Sequence, residues 1–561
     1  MAVTGVEETL IELLVVFILA AGVGIAVAKV GRFPYTIALL LAGLGVSVLG
    51  VHVEIQLSHD LILLVLLPPL LFEGAATTDL EQLRGDLLPV LVLAVPGLLL
   101  SIAVLGWLGA EAFGFPLLVA LLFAVTILPT DPVSVLALFD ELGAPDRLAT
   151  LVEGESLVND GVGVVVFGAL LAIVVETGGT DPAALFEPAT LFAVSTDVLV
   201  ASVGGLAVGL ATGYFVYRVM VNLDEHMTEI VLTAILAYGS FLLAEHYLHV
   251  SGVIATVVAG LFIGNRGAEY AMSPRTKISI FNTWETAAFV VNTFIFVMIG
   301  VTTPIDQLAA QWRLIALAIP LVLLARAVAV YPLLSIVNRW IDAPVSRDYM
   351  HVAVWGGLHA SIPIALVLGL PPETPYRTEL RAMVFGVAAF SLVVQGLSVG
   401  RLLDALGVVT RTEAEELYEL LVGRARAVAS ALDAAEELRR DGQLSPSVYD
   451  DFTAEYEREK DDLNEAIAAL LAETPEIRRE ELLIGERQVL RREKSALMDA
   501  MRAGVVSDDV GERLLDEVDI KLDRLQAGES TVAGRGSEGY EEFWRRRVEA
   551  FGLDVERPDG E

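Results

Sequence analysis

The chain of 561 residues contains no cysteine, which excludes disulfides and thiolate metal sites. Lysine is scarce as well: five of the 37 basic residues, set against 72 acidic ones, for a net charge of −35. A surface so acidic and lysine-poor argues against nucleic acid as a partner. It suits a protein facing concentrated salt, a halophilic composition in which high net charge keeps chains soluble despite screening.

Apolar residues are plentiful, at 55% of the chain, with a mean hydropathy of +0.64. Runs of about twenty recur as far as residue 404, the signature of bilayer-spanning helices. About thirteen are readable, near 9–29, 34–52, 56–76, 85–109, 113–139, 147–175, 190–220, 227–247, 251–265, 284–303, 313–337, 349–370 and 381–404. The pattern predicts an all-α polytopic membrane protein. No cleavable signal is expected, because the first apolar run is too long and lacks a basic flank.

Thirteen spans place the termini on opposite sides. Loops on the C-terminal side carry eleven basic residues up to position 410, whereas those on the other side carry Arg313, Arg377 and Arg381 alone. The bias predicts a cytoplasmic C-terminus in the cell membrane. Arg326 is left over inside a span.

Composition changes abruptly near Arg411. Residues 411–561 hold 22 basic against 39 acidic side chains, a local charge of −17. EAEELYELLVGRARAVASALDAAEELRR spaces its apolar residues helically, as do segments near 447–473 and 479–526, with breaks at DGQLSP and ETPE and a turn at RAGVVSDD, where Ser507 can cap the next helix. The expected organisation is a membrane domain at 1–408, a soluble acidic helical domain at 409–528 and a flexible end at 529–561. No nucleotide-binding fingerprint is present in the tail, and its partner is not legible.

Two spans cluster helix breakers with polar residues. In LLFAVTILPTDPVSVLALF, Pro129 and Pro132 bracket Thr130 and Asp131, and each proline removes a donor and disfavours helix before it. This is either an ordinary kink or an unwound segment, and an aspartate between the prolines favours the second. In HVAVWGGLHASIPIALVLGLP, Gly356, Gly357, Ser361 and Pro363 interrupt the twelfth span similarly. Paired interrupted spans in two halves point to a transport site built on an inverted repeat, here spans one to six and eight to thirteen.

Between them lies LVEGESLVNDGVGVVVF on span six. Intramembrane carboxylates are costly and hence functional candidates. Helical geometry puts Ser156 and Asp160 on one face and Glu155 and Asn159 on the adjacent one. Asp160 with the Ser156 hydroxyl is a hard oxygen site for a small cation; otherwise it is a protonated core residue. Glu155 is free to pair with Arg326 as a structural ion pair. Glu73, in LLPPLLFEGAA, either joins the cation site or lines its entrance. Glu153 is an access-path or supporting group, or simply a solvated helix-end residue.

LPPLLFEGA, TDPVSV, LVEGESLVNDG, SGVIATVVAGLFIGN, LLARAVAVY and WGGLHASIPIALVLGLP follow one another in the order and spacing of a known pattern. Over residues 10–405 the chain resembles monovalent cation/proton antiporters, specifically NhaP-type sodium/proton exchangers, relatives of the animal ones. The resemblance implies thirteen helices in two inverted six-helix repeats, with spans five and twelve unwound and crossing, and a homodimer whose core moves against a scaffold. It implies that Asp160 carries cation and proton, with Ser156, the Thr130 backbone and Glu73 as further ligands. Asn159, Thr130 and Asp131 would tie span five to span six, and Glu155 would pair with Arg326. The chain departs at His359 and Ala360, where many members read Arg-Gly. His359 either changes charge with pH and biases the response or stays neutral and hydrogen-bonded.

The implied activity is transport, not enzymatic catalysis. No cofactor is expected beyond the transported Na+ (or Li+ or K+) and H+. One carboxylate with two competing occupants exchanges them one for one if only the loaded forms reorient. In the family two adjacent aspartates go with voltage-driven exchange, so Asn159 at the first position implies, through the resemblance, electroneutral exchange. A channel, or an anchor for a sensory tail, are the rivals.

Overall fold

The structure, a computed structural model, describes residues 2–30, 34–49, 57–183, 188–223, 225–341, 343–408, 413–502, 505–526 and 530. Among the described residues every regular element is a helix and there is no strand. Two compact units are separated by contact density, Met1–Thr410 and Arg411–Glu561. The expected flexible end at 529–561 lies outside the described residues, Ser530 aside.

In the first unit the principal helices are α1 (Ala2–Val30), α2 (Tyr35–Val48), α3 (Leu61–Thr77), α4 (Leu87–Phe113), α5 (Leu117–Ile127), α6 (Val133–Leu142), α7 (Asp146–Thr177) and α8 (Pro188–Met220). They continue with α9 (His226–Tyr247), α10 (Gly252–Phe262), α11 (Pro274–Thr302), α12 (Trp312–Val337), α13 (Arg347–Trp355), α14 (Ser361–Leu368) and α15 (Arg377–Leu406). Seven helices are long and apolar enough to cross a membrane, and four shorter apolar ones accompany them. A helix satisfies its backbone internally, which hydrocarbon demands. The ends are locally encoded. Glu225, Ser251, Ser273 and Ser346 cap α9, α10, α11 and α13 through side-chain oxygens, and Gly114, Gly143, Gly178 and Gly407 close α4, α6, α7 and α15 in the left-handed region.

Packing sorts these helices into two bundles. One joins α1–α3 with α8–α11, and the other joins α4–α7 with α12–α15. Each bundle thus draws on both halves of the chain. In the first, α2 and α11 approach so closely that a Cβ on Gly43 would stand 2.3 Å from the carbonyl oxygen of Val297, the small-residue packing that membrane helices use where hydrophobicity alone gives no drive. In the second, α5 is buried along nearly its whole length. A segment hydrophobic all round is the expected centre of such a bundle.

The second unit contains α16 (Glu413–Arg440), α17 (Pro446–Glu473), α18 (Pro475–Arg502) and α19 (Asp508–Gln526). The turns fall at DGQLSP, at Thr474 and before Asp508, where the carbonyl of Ser507 accepts from Val510 and Gly511. Here α16 and α17 are joined by an Arg424–Glu459 ion pair of 2.6 Å, and α18 and α19 share a small core of Leu490, Val518 and Leu525.

Candidate cation site at two broken helices

Helix stops at Ile127 and resumes at Val133, and stops at Trp355 and resumes at Ser361. The two breaks meet. The Asp131 amide donates to the Leu358 carbonyl at 2.8 Å, and the Ser361 hydroxyl donates to the Asp131 carboxylate at 2.8 Å. The same carboxylate accepts from the Val133 amide at 3.1 Å and from that of Ser361 at 3.4 Å. One aspartate therefore satisfies amides at the N-terminal ends of α6 and α14, where the helix dipoles favour negative charge.

His359 makes a second tie. Its Nδ1 lies 3.1 Å from the carbonyl of Pro129, and because a carbonyl only accepts, that nitrogen carries the proton. The His359 amide donates to Ser391 on α15 at 3.0 Å. The ring is buried and placed as a hydrogen-bonding group between the breaks.

Span six, now α7, runs past this crossing. The Ser156 hydroxyl donates to the Thr130 carbonyl at 2.5 Å, and the Asn159 amide donates to the Thr130 hydroxyl at 2.9 Å. Asp131 was expected to share in this tie to span six; its hydrogen bonds run instead to Val133 in its own break and to Leu358 and Ser361 in the other, because its carboxylate is consumed in capping. Asp160 is buried at 7% exposure, and its Oδ1 has no hydrogen-bond partner; the Oδ1 of Asn159 is likewise unpartnered. The charge acting on Asp160 is that of another acid, Asp131. A buried carboxylate without a donor or cationic neighbour is costly unless a proton or cation joins it. Among the described residues no group of three or more His, Asp or Glu could hold a metal. A cation here would meet one carboxylate with hydroxyl and carbonyl oxygens, the donor set of hard monovalent ions.

On the adjacent face of α7, Glu155 takes both terminal nitrogens of Arg326, at 2.9 and 3.0 Å, while Arg326 Nε donates to the Ala353 carbonyl at 2.9 Å. A Cβ on Gly357 would stand 2.3 Å from Arg326 Nε, so the glycine makes room for the guanidinium. The pair lines a small cavity shared with Ser101, Leu128 and Asn159.

Glu73 belongs to a different group. It is half-buried on α3, lining a cavity with Phe72, Met272 and Trp284. It lies within electrostatic reach of Glu153 and of Glu285 on α11. Glu153 is half-buried beside the Thr78 hydroxyl. The structure thus gathers Asp160, Ser156, Asn159, Thr130, Asp131 and His359 at the crossing, and puts Glu73 with Glu153 apart from them.

The family description "sodium/hydrogen exchanger, transmembrane" matches residues 14–405. The chain belongs to that family. It is 34% identical over 521 residues to the Na(+)/H(+) antiporter NhaG of Bacillus atrophaeus, covering 90% of this chain and 96% of that protein. It is 35% identical over 414 residues to the Na(+)/H(+) antiporter NhaH of Halobacillus dabanensis, covering 72% of this chain and 100% of NhaH. The fold resembles that of the sodium proton antiporter MjNhaP1 from Methanocaldococcus jannaschii, with a TM-score of 0.57 at 19% identity over 72% of this chain and 99% of MjNhaP1. The sequence motifs thus identified a sodium/hydrogen exchanger correctly. What they missed in this exchanger are Ser361 as the hydroxyl on Asp131, Ser391 behind His359, and Glu285 beside Glu73. Ser361 carried a signal, since it opens the resumed helix two residues before Pro363.

Proposed function

We propose that this exchanger moves Na+ against H+ by alternating access, one for one. The observation that carries the reading is Asp160: a buried carboxylate with an unpartnered oxygen, beside the crossing of two broken helices. Such a group is stable loaded with a proton or with a cation, and binding either expels the other. If only the loaded forms reorient, the exchange is strictly coupled. Ser156 and the Thr130 carbonyl complete the cation's shell, and Asn159 holds Thr130 in place. Glu155 with Arg326 fixes α7 to α12, and Glu73 with Glu153 lines the approach. Sodium is favoured because the relatives NhaG and NhaH are named as Na+/H+ antiporters.

The same reading takes residues 1–408 as the membrane domain, with thirteen crossings in two inverted six-helix repeats. The segments α5–α6 and α13–α14 are then the unwound crossing helices. It places 409–528 in the cytoplasm as a soluble acidic domain, and takes the membrane unit to work as a homodimer. The two bundles, each drawing on both halves, support a repeat architecture. The test is antiport in proteoliposomes across Na+, Li+ and K+. Wild type should exchange Na+ for H+, and Asp160→Asn should be folded and inactive. Exchange surviving in Asp160→Asn overturns the assignment.

A further inference from the structure

Basic residues on the side expected to face outward number three, Arg313, Arg377 and Arg381. All three lie in the first two turns of two helices, α12 and α15, that pack together. The packing is close at this end: Ile315 fills the space a Cβ on Gly386 would need. In a chain of net charge −35, the outer basic residues thus sit at the starts of two packed helices.

Their hydrogen bonding is incomplete. Arg377 Nε donates to the Leu370 carbonyl at 2.8 Å, pinning the turn before α15. Among the described residues none of the three has an acidic partner within ion-pair distance, although Asp306, Glu373 and Glu379 lie on neighbouring segments. Arg381 Nε is buried and has no acceptor. On the pinned turn, the Thr374 hydroxyl is also buried without a partner. A buried guanidinium donor without an acceptor is costly, and two guanidinium forks one turn apart match the oxygens of a phosphate.

The surroundings set the depth. Trp312 is 60% exposed and Tyr376 is 42% exposed, and Arg313 sits 5.6 Å over the Trp312 ring. Exposed tryptophan and tyrosine at helix ends settle at the headgroup level of a bilayer. We propose that the outward ends of α12 and α15 bind the phosphodiester headgroup of an anionic phospholipid through Arg377 and Arg381, with Arg313 at the rim. Lipid binding here does not depend on which ions the protein exchanges.

The full-length protein would be purified and titrated with phosphatidylglycerol or phosphatidylcholine, reading melting temperature and lipid retained in native mass spectra. Phosphatidylglycerol should raise the melting temperature above phosphatidylcholine and leave one more lipid per chain. Arg377→Gln with Arg381→Gln should remove both effects, each read as the difference between the two lipids in the same variant, because losing the Arg377 bond to Leu370 also shifts melting in phosphatidylcholine. An increment that survives the double variant overturns the site. So does an equal increment from inorganic phosphate alone, which would make it a free-anion site. Should the glutamine variant not fold, Arg377→Lys with Arg381→Lys keeps charge and loses the planar fork. It should retain less phosphatidylglycerol than wild type, and unchanged retention overturns the proposal.

Discussion

The carboxylate of Asp131 in the first break receives the hydroxyl of Ser361 in the second at 2.8 Å. Because Asp131 also accepts from Val133, this bond fastens two half-helices through one side chain. Ser361→Ala removes one charge-assisted hydrogen bond and should cost about 1–3 kcal/mol. Asp131→Ala strips the caps from both α6 and α14 and should cost more than Ser361→Ala. Thermal unfolding of the purified variants checks the order. Equal losses would mean that Ser361 is the sole partner that matters.

Glu155 and Arg326 are both nearly buried and paired at both terminal nitrogens. Removing either partner leaves the other charged and alone, at a cost of about 3–5 kcal/mol. Glu155→Leu with Arg326→Met should be less damaging than either single change, which a double-mutant cycle on unfolding measures. Gly357→Ala should resemble loss of Arg326, since its Cβ would collide with the guanidinium.

How much of this was legible follows from where the information sits. Helical spacing alone separated Asp160 and Ser156 from Glu155 and Asn159, because the four lie on one helix. The lone intramembrane arginine named its own partner. Prolines and glycines marked both breaks to within a residue or two. What stayed hidden depends on elements far apart in sequence meeting in space. Asp131 on Ser361 and His359 on Pro129 each span 230 positions, and no periodicity reports a crossing. Glu73 illustrates the same limit. Its span was readable but its neighbours were not, so an acid equally able to ligand or to line an entrance stands beside Glu153 and Glu285.

Asn159 bears on coupling. With a single carboxylate at the crossing free of hydrogen bonds, the site carries the same charge whether it holds a proton or Na+. Exchange driven by a pH gradient should then be indifferent to a voltage clamped across proteoliposomes with potassium and valinomycin. A rate that rises steeply with voltage would require unequal numbers of ions, and one-for-one exchange would fall.

In the second unit, Tyr418 on α16 is hydrogen-bonded to Glu481 on α18, and burial, reinforced by that bond, lifts its phenol from 10.0 to about 12. The folded form thus prefers the neutral phenol. Its stabilisation is complete below pH 10 and is lost as pH rises through about 12, where a tyrosinate would face a carboxylate. Residues 409–528 expressed alone should lose helix by circular dichroism over that window. Tyr418→Phe should lose less, and an identical alkaline transition would place its cause elsewhere.

The family match ends at residue 405, and α15 ends at Leu406 with Gly407 in the left-handed region. Val408 closes that helix by donating to the Leu403 carbonyl at 3.1 Å, so a chain ending at Val408 keeps its own cap. The alignment to NhaH covers all of that antiporter with 72% of this chain, which makes the first unit as long as a whole relative. Truncation after Val408 should therefore leave Na+/H+ exchange at a comparable maximal rate in proteoliposomes, with any change appearing in its pH dependence. A truncated protein that folds and binds but does not exchange would move the function to the acidic helices, and the first unit would be their anchor.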